Sequence, residues 1–404
     1  MFDKFKENQY YKEVSIFLSS KNLFHHSYLV GGTVRDLLLN REIKDLDFAI
    51  KGETIELARE FSKKIEGSFV LLDEHFSIGR VVKDNVTIDF SQLRGGSIEA
   101  DLSERDFTIN AMAVPLSMDK VIDPFEGMGD IKNKIIRMVN EENLKTDPLR
   151  ILRAYRFHAT LEFDIDKETR EVLKKFAYLM KITAKERIKE ELWKIFSVER
   201  SYKTIKLIIE DDIFKSLFKT SEHLPLKPNI EALKIAEEFM IDSKREIKHL
   251  NCFKFVILFD FHASDLLASI KPSRKEQKFC EDLIKAGTRI KKIETLLDKV
   301  RFIRDFEHIL QHALIYGMSK DPLGISRRWF YEEIENFYKK IYLKNKKKLP
   351  LIKGEDLLNL GFKPSPLLGE ILERIETLIL TGKISSKEQA IEEIKKIYFK
   401  NKKN

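Results

Sequence analysis

Two aspartates, Asp45 and Asp47, stand one residue apart in Asp45-Leu46-Asp47-Phe48-Ala49-Ile50. The alternating Leu46, Phe48 and Ile50 predict a strand with both carboxylates on its other face. Hard oxygen ligands at that spacing suit two Mg²⁺ ions about 3.5–4 Å apart in phosphoryl transfer, one activating the attacking oxygen and one steadying the leaving group. Just upstream, Tyr28-Leu29-Val30 leads into Gly31-Gly32 and a short apolar-faced helix from Thr33 to Leu39. The glycine pair lets the backbone turn tightly against a ligand, and the helix start offers free N–H groups to phosphate. Asp89, in Val86–Phe90, lies on the face opposite Ile88 and Phe90. It becomes a third carboxylate if that strand neighbours Asp45–Ile50. An isolated D-x-D is more often a solvated strand face; joined to G-G-x-x-R-D at this spacing it points to chemistry.

A second group lies a hundred residues on, in TDPLRILRAYRF (Thr146–Phe157). Asp147, Arg150, Arg153 and Arg156 recur every three residues, so a helix would carry a carboxylate and a row of guanidiniums on one face. A carboxylate accepts from the N4 amine of cytosine while an arginine donates to N3 or O2; the same couple accepts from N6 of adenine and donates to N1. Uracil and guanine present a donor where the arginine needs an acceptor. The plain alternative is an N-capping Asp147 with Pro148 behind it and a surface ion pair with Arg150. Between the two groups, Arg105 and Asp106 open ERDFTINAMAV, where they could reach a triphosphate or a base.

The elements that must position these groups change character along the chain. Residues 1–24 read as a helix ending near Asn22. Glu53 to Ile65 reads as an amphipathic helix with Thr54 as N-cap. Phe69–Leu72, Ile78–Val82 and Val86–Phe90 read as strands, the last two joined by a tight hairpin at Lys83-Asp84-Asn85. Gln92–Ser103 is a short glycine-containing connection, and Phe107–Ala113 is ambiguous between strand and helix. After VIDPFEGMGDIKNKIIRMV, from about Glu141, almost everything reads as short amphipathic helices, including Asp147–Thr160, Lys167–Leu179, Lys185–Val198, Ser201–Asp211 and Asn229–Phe239. The fold class is therefore α+β: a mixed-sheet first part and an all-helical remainder.

Composition narrows the setting. The 404 residues suit more than one domain, and 43% hydrophobic content suits real cores. Two cysteines, Cys252 and Cys280, argue against a disulfide framework or a zinc cluster. MFDKFKENQYYKEV has no apolar signal core, and no run approaches the ~20 apolar residues of a membrane span, so a cytoplasmic protein is expected. The net charge is +8, with clusters at Lys339, Lys340, Lys344 and Lys346–Lys348, and at Lys395, Lys396, Lys400, Lys402 and Lys403. Such patches suit a polyanion. No P-loop and no His-Asp doublet occurs, which disfavours a P-loop ATPase and a phosphohydrolase.

GGTVRDLLLNREIKDLDFAI, ERDFTINAMAV, IDPFEGMGDI and TDPLRILRAYRF, in this order, resemble the head and neck of class II tRNA nucleotidyltransferases, the family of CCA-, CC- and A-adding enzymes and bacterial poly(A) polymerases. ERIKEELWKIF resembles a further neck segment, and LIKGEDLLNLGFKPSPLLGEIL with GKISSKEQAIE resembles, more loosely, the C-terminal domain of bacterial members. The resemblance implies a polymerase beta-like head (1–140), a helical neck (141–200), a body (201–310) and a tail (311–404). It implies that Asp45 and Asp47 bind catalytic Mg²⁺, with Asp89 at the third-carboxylate position. Gly31, Gly32, Arg35, Arg105, Asp106 and Asn110 are implied in nucleotide binding, as are Asp147 and Arg150 as a protein template, with Arg153 and Arg156 beside them. Substrates would be CTP, with ATP as an alternative, and tRNA held by its acceptor and TΨC arms.

Two departures stand out. Thr146 replaces the usual glutamate before the template aspartate, a flanking position. The Gln92–Ser103 connection is shorter than the flexible loop of CCA-adding members and resembles CC-adding enzymes, in which a separate A-adding enzyme completes the end. The expectation is CC addition; full CCA addition, A addition or poly(A) synthesis are the alternatives in the family, and a catalytically idle RNA-binding module lies outside it.

Overall fold

The alternation around Asp45 builds the centre of a six-stranded sheet. In a computed structural model describing residues 2–74, 77–218, 227–321 and 326–398, the chain forms two compact units. The first comprises the described residues to 198 together with 203–218; the second takes 199–202 and those from 227 onward. The first holds the mixed sheet, and the remainder is predominantly helical.

The first unit runs α1 (Phe2–Lys6), α2 (Gln9–Ser20), β1 (Ser27–Val30), α3 (Gly32–Leu38), β2 (Asp45–Ile50), α4 (Thr54–Lys64), β3 (Ser68–Asp73), β4 (Ile78–Lys83), β5 (Val86–Gln92), α5 (Ile98–Ser103), β6 (Ala113–Pro115), α6 (Gly127–Asn133), β7 (Ile135–Ile136), α7 (Glu141–Thr146), α8 (Leu149–Leu161), β8 (Asp164–Ile165), α9 (Lys167–Phe176) and α10 (Lys185–Phe196). The sheet order is β3-β4-β5-β2-β1-β6. β2 lies parallel to β5 and antiparallel to β1, and β3, β4 and β5 form an antiparallel meander.

One sheet face is apolar at its centre. Leu46, Phe48 and Ile50 meet Val34, Phe61 and Phe90, and the Phe61 ring lies 5.5 Å from Phe90 and 5.3 Å from Phe17 of α2. The other face is divided. Beyond Asp45 and Asp47, Ala49 packs with Val30, Ile98 and Leu102, so α5 seals the far half of β2 and leaves the aspartate half open. The β4–β5 turn sets Asp84 and Asn85 at φ 47° and 65°, the left-handed pair a two-residue hairpin requires.

Several local expectations are revised. The opening stretch is two helices, split at Asn8, whose side chain accepts from the Tyr11 N–H at 3.0 Å. Thr54 is not a cap: it is the first residue of α4, and its hydroxyl donates to the Ser77 carbonyl. Asp147 does not begin a helix running to Thr160. It ends α7 in extended conformation, and α8 begins at Leu149, because Pro148 disfavours a helical Asp147 and supplies no N–H. Residues 108–110 form a single helical turn before β6. The part beyond Glu141 is not wholly helical, since β8 pairs with β7.

In the second unit Glu237 and Lys254, both fully buried, pair at 2.8 Å. The Glu237 carboxylate also accepts from the Ser201 and Tyr202 N–H groups at 3.2 and 3.0 Å, fixing the short segment 199–202 within that unit. Further on, Glu373 accepts from Arg301 at 2.8 and 3.0 Å and from Arg304 at 2.8 Å, tying helix Pro366–Leu380 to Leu296–Phe306. Hydrogen bonds from Arg301 and then Arg304 pull the Glu373 carboxyl down to about 2. Its stabilisation is therefore complete above the ordinary glutamate range and is lost as pH falls toward that value. Thermal melts should show Glu373→Gln a few degrees below the natural chain at neutral pH, with the gap narrowing from about pH 5 to about pH 3. Lys400, Lys402 and Lys403 lie outside the described residues. Among the described residues no helix is long and apolar enough to cross a membrane.

Candidate active site

The open half of the β2 face forms one wall of a cavity of about 600 Å³, bounded elsewhere by α3, the segment after α5, and α8. All thirteen candidate residues line it: Gly31, Gly32, Arg35, Asp45, Asp47, Asp89, Arg105, Asp106, Asn110, Asp147, Arg150, Arg153 and Arg156.

The aspartate wall is held by the sheet. Thr33 pins β2 to α3: its hydroxyl donates to the Asp45 carbonyl at 3.0 Å and accepts from the Asp47 N–H at 2.7 Å. Asp45 is exposed and accepts from the Thr87 hydroxyl. Burial, reinforced by the charges of Asp89 and Asp45, pushes the Asp47 carboxyl up to about 6 against the opposing pull of Arg105. That concentration of negative charge on hard oxygens is what a divalent cation would relieve. Among the described residues no three or more His, Cys, Asp or Glu side chains gather as a metal cage. Two carboxylates completed by substrate phosphate oxygens is how Mg²⁺ sites are commonly built, so the residues fit such an ion. Asp89 does face Asp47 across the parallel β2–β5 pair, but both its oxygens are taken by Arg80 at 2.7 and 2.8 Å.

Gly31 makes the turn at φ +65°, and a Cβ there would stand 2.7 Å from Arg105 Nη1. Arg105 in turn is anchored on the buried Asp101 at 2.8 and 3.1 Å. Gly31→Ala is therefore expected to strain the turn and displace Arg105, raising the KM for nucleotide by about tenfold or more in steady-state incorporation assays.

The arginine wall is a network. Arg35 donates to Asn110 Oδ1 at 2.7 Å, Asn110 donates to Asp106 at 3.0 Å, and Asp106 accepts from Arg153 at 2.6 and 2.7 Å. Burial opposes ionisation of Asp106, but Arg153 and Asn110 override it and hold the carboxyl well below the usual carboxylate range. Arg156 pairs with Glu191 of α10 at 3.0 Å, and burial next to Arg153 lowers its guanidinium to about 10. Three guanidiniums, of Arg156, Arg35 and Arg153, surround the Phe157 ring at 4.1, 5.2 and 5.5 Å. The side chains of Asp147 and Arg150 are not paired with each other; only the Arg150 N–H meets the Asp147 carbonyl, at 3.0 Å. Asp147 accepts from Arg187 at 3.0 Å on one oxygen and from the Leu149 N–H at 3.3 Å on the other, and Arg150 donates to the Glu104 carbonyl at 2.9 Å through one guanidinium nitrogen, which leaves its other N–H groups for the cavity.

Arg80, Asp101, Arg187 and Glu191 join the site without being among the candidates the sequence offers. The first was within reach: a two-residue turn at Asp84-Asn85 puts residue 80 opposite 89. Asp101 and Arg105 stand at i, i+4, a helical pairing distance. Arg187 and Glu191 meet Asp147 and Arg156 only through tertiary packing.

The Gln92–Ser103 connection is folded along its length. Leu93 donates to the Ile50 carbonyl at 2.9 Å, Gly95 and Gly96 turn at φ 61° and 77°, and Ser97 caps α5. Asp101 accepts from the Arg94 N–H at 3.3 Å as well as from Arg105.

Family models match the chain in three parts: "Poly A polymerase head domain" at residues 27–137, "Probable RNA and SrmB-binding site of polymerase A" at 162–224, and tRNA nucleotidyltransferase domain 2 at 244–394. The chain is 32% identical to a CC-adding tRNA nucleotidyltransferase of Synechocystis over 386 residues, covering 90% of this chain and 91% of the relative. It is 31% identical to a CCA-adding enzyme of Ligilactobacillus salivarius over 416 aligned residues, covering 96% and 97%. A CC-adding tRNA nucleotidyltransferase of Geobacter sulfurreducens is 41% identical over 174 residues, 43% of this chain and 40% of that one. The solved structure of a Thermotoga maritima CCA-adding enzyme complexed with tRNA shares the fold, with a TM-score of 0.73, 24% identity, and coverage of 95% and 94%.

Proposed function

Because the chain belongs to the tRNA nucleotidyltransferase family, we propose that it adds two C residues to the tRNA 3′ end from CTP and stops there. The primer 3′-oxygen forms a bond to the α-phosphorus, the bond from that phosphorus to the bridging oxygen breaks, and pyrophosphate leaves. Asp45 and Asp47 would hold Mg²⁺, which supplies charge neutralisation on the phosphates and a lower pKa for the attacking hydroxyl. Arg35, Arg105 and the Gly31-Gly32 turn orient the triphosphate, and Asp106 and Asn110 keep Arg153 and Arg35 in place around it. The helices of the second unit, with their basic clusters, would take the acceptor and TΨC arms.

The observation that carries this reading is that Asp147 and Arg150 line the same cavity as Asp45 and Asp47. Base choice and bond making thus fall within one nucleotide's reach. Asp147 accepts the exocyclic amine and Arg150 donates to the ring nitrogen beside it, a pattern cytosine and adenine offer and uracil and guanine do not.

Relatives named CC-adding and CCA-adding are both similar to this chain, so their names do not choose between the two products. The folded connection favours CC addition. Accepting A after C requires the cavity to change shape. A segment capped at Ser97, tied to Ile50 and clamped through Asp101 to Arg105 has little slack for that. Full CCA addition is the second reading, since the Asp147/Arg150 pattern also suits adenine; on the first, a separate A-adding enzyme completes the end. The test is tRNA ending at the discriminator base supplied with CTP alone: a product longer by two C residues is expected, and no extension with UTP or GTP.

A further inference from the structure

The hairpin that carries Asp89 also carries a cation aimed at the same place. The register of β4 and β5 sets Arg80 across from Asp89 on one side, and the parallel pairing of β2 and β5 sets Asp47 across from it on the other. Arg80 closes on Asp89 with Nε to Oδ1 at 2.7 Å and Nη2 to Oδ2 at 2.8 Å. Both side chains line the cavity, with Asp89 16% exposed. A guanidinium engaged on both oxygens of a carboxylate is fixed in geometry and keeps its charge. Asp45, by contrast, is met by the Thr87 hydroxyl, a neutral partner that can rotate away.

Resting on the reading that Asp45 and Asp47 take the metal, we infer that Arg80 is a positioning residue that neutralises Asp89 and keeps it out of the metal's ligand set. The protein then offers two metal carboxylates, and phosphate oxygens of the triphosphate complete the shell. Metal and nucleotide would therefore enter the site together. A third free carboxylate would instead favour a nucleotide-free metal, since an added negative charge a few ångströms away strengthens cation binding.

The test is Mn²⁺ binding to the full chain without nucleotide, followed by loss of the free-ion electron paramagnetic resonance signal. Asp47→Asn should weaken binding by about tenfold or more. The double variant Arg80→Met/Asp89→Asn removes a cation and an anion together and should stay within about threefold of the natural chain. Arg80→Met alone should tighten binding by about tenfold, because Asp89 is released; Arg80→Gln, a second route to the same neutral position, should do likewise. A double variant that falls as far as Asp47→Asn makes Asp89 a ligand and overturns the inference, as does an unchanged or weaker affinity in Arg80→Met and Arg80→Gln. Asp47→Asn binding Mn²⁺ as the natural chain does would overturn the metal reading itself, and this inference with it.

Discussion

Replacing Asp47 by Asn lowers kcat/KM for C incorporation by about a thousandfold or more, while tRNA affinity in a filter-binding assay stays within about threefold. The magnitude follows from the role. Lewis-acid stabilisation of a phosphoryl transition state is worth several kcal/mol, and each ~1.4 kcal/mol is a factor of ten in rate. Asn keeps the shape of Asp47 but loses its charge, so the Thr33 contacts to the β2 backbone remain. A stability readout separates this from simple damage. The Asp47 carboxyl is pushed up to about 6 by burial and by Asp89 and Asp45, so at neutral pH the ionised group costs folding energy. The neutral variant should therefore melt no lower than the natural chain, and higher if anything. An inactive Asp47→Asn chain that also melts well below the natural one would point to structural collapse instead.

Arg150→Ala relaxes base choice. With the donor gone, uracil no longer meets a clashing N–H at its N3, and cytosine loses its partner there. A well-placed recognition contact of this kind is worth ~1–3 kcal/mol of discrimination, or about 5- to 150-fold. Competition between CTP and UTP on one tRNA primer should show the preference for C falling by that factor. Arg150 holds the Glu104 carbonyl but neither Asp106 nor Glu191, so the Arg35–Asn110–Asp106–Arg153 chain stays intact and the loss should appear in selectivity more than in overall rate. Unchanged C over U preference would remove Arg150 from the template.

What could be read from residue order alone was whatever local geometry dictates. The period of two around Asp45 fixed which face carries the carboxylates, and Gly31-Gly32 fixed where the chain turns. The neighbourhood of β5 and β2 was a condition, and the structure meets it, setting Asp47 beside Asp89. What Asp89 holds follows from the turn at Asp84-Asn85, which determines the register with Arg80. The three-residue spacing carries Asp147 into a helix, whereas Pro148 breaks the backbone there and Arg187 supplies its partner. Such partnerships as Asp106 with Arg153 and Arg156 with Glu191 join segments distant in sequence, and no periodicity announces them. The interleaving of the two units near residue 200 is equally hidden: residues 199–202 join the second unit through the buried Glu237, a contact between positions 35 and 36 residues apart, while 203–218 return to the first.

On the proposed function, one cavity chooses cytidine, transfers it and is too firmly built to go on to A. The direct measurement is single-nucleotide extension of three tRNA primers, ending at the discriminator base, in C and in CC, each with CTP, with ATP and with both. CTP should extend the first primer by two residues and the second by one, and tRNA ending in CC should remain unextended with ATP. Efficient placement of A on that third primer would contradict it.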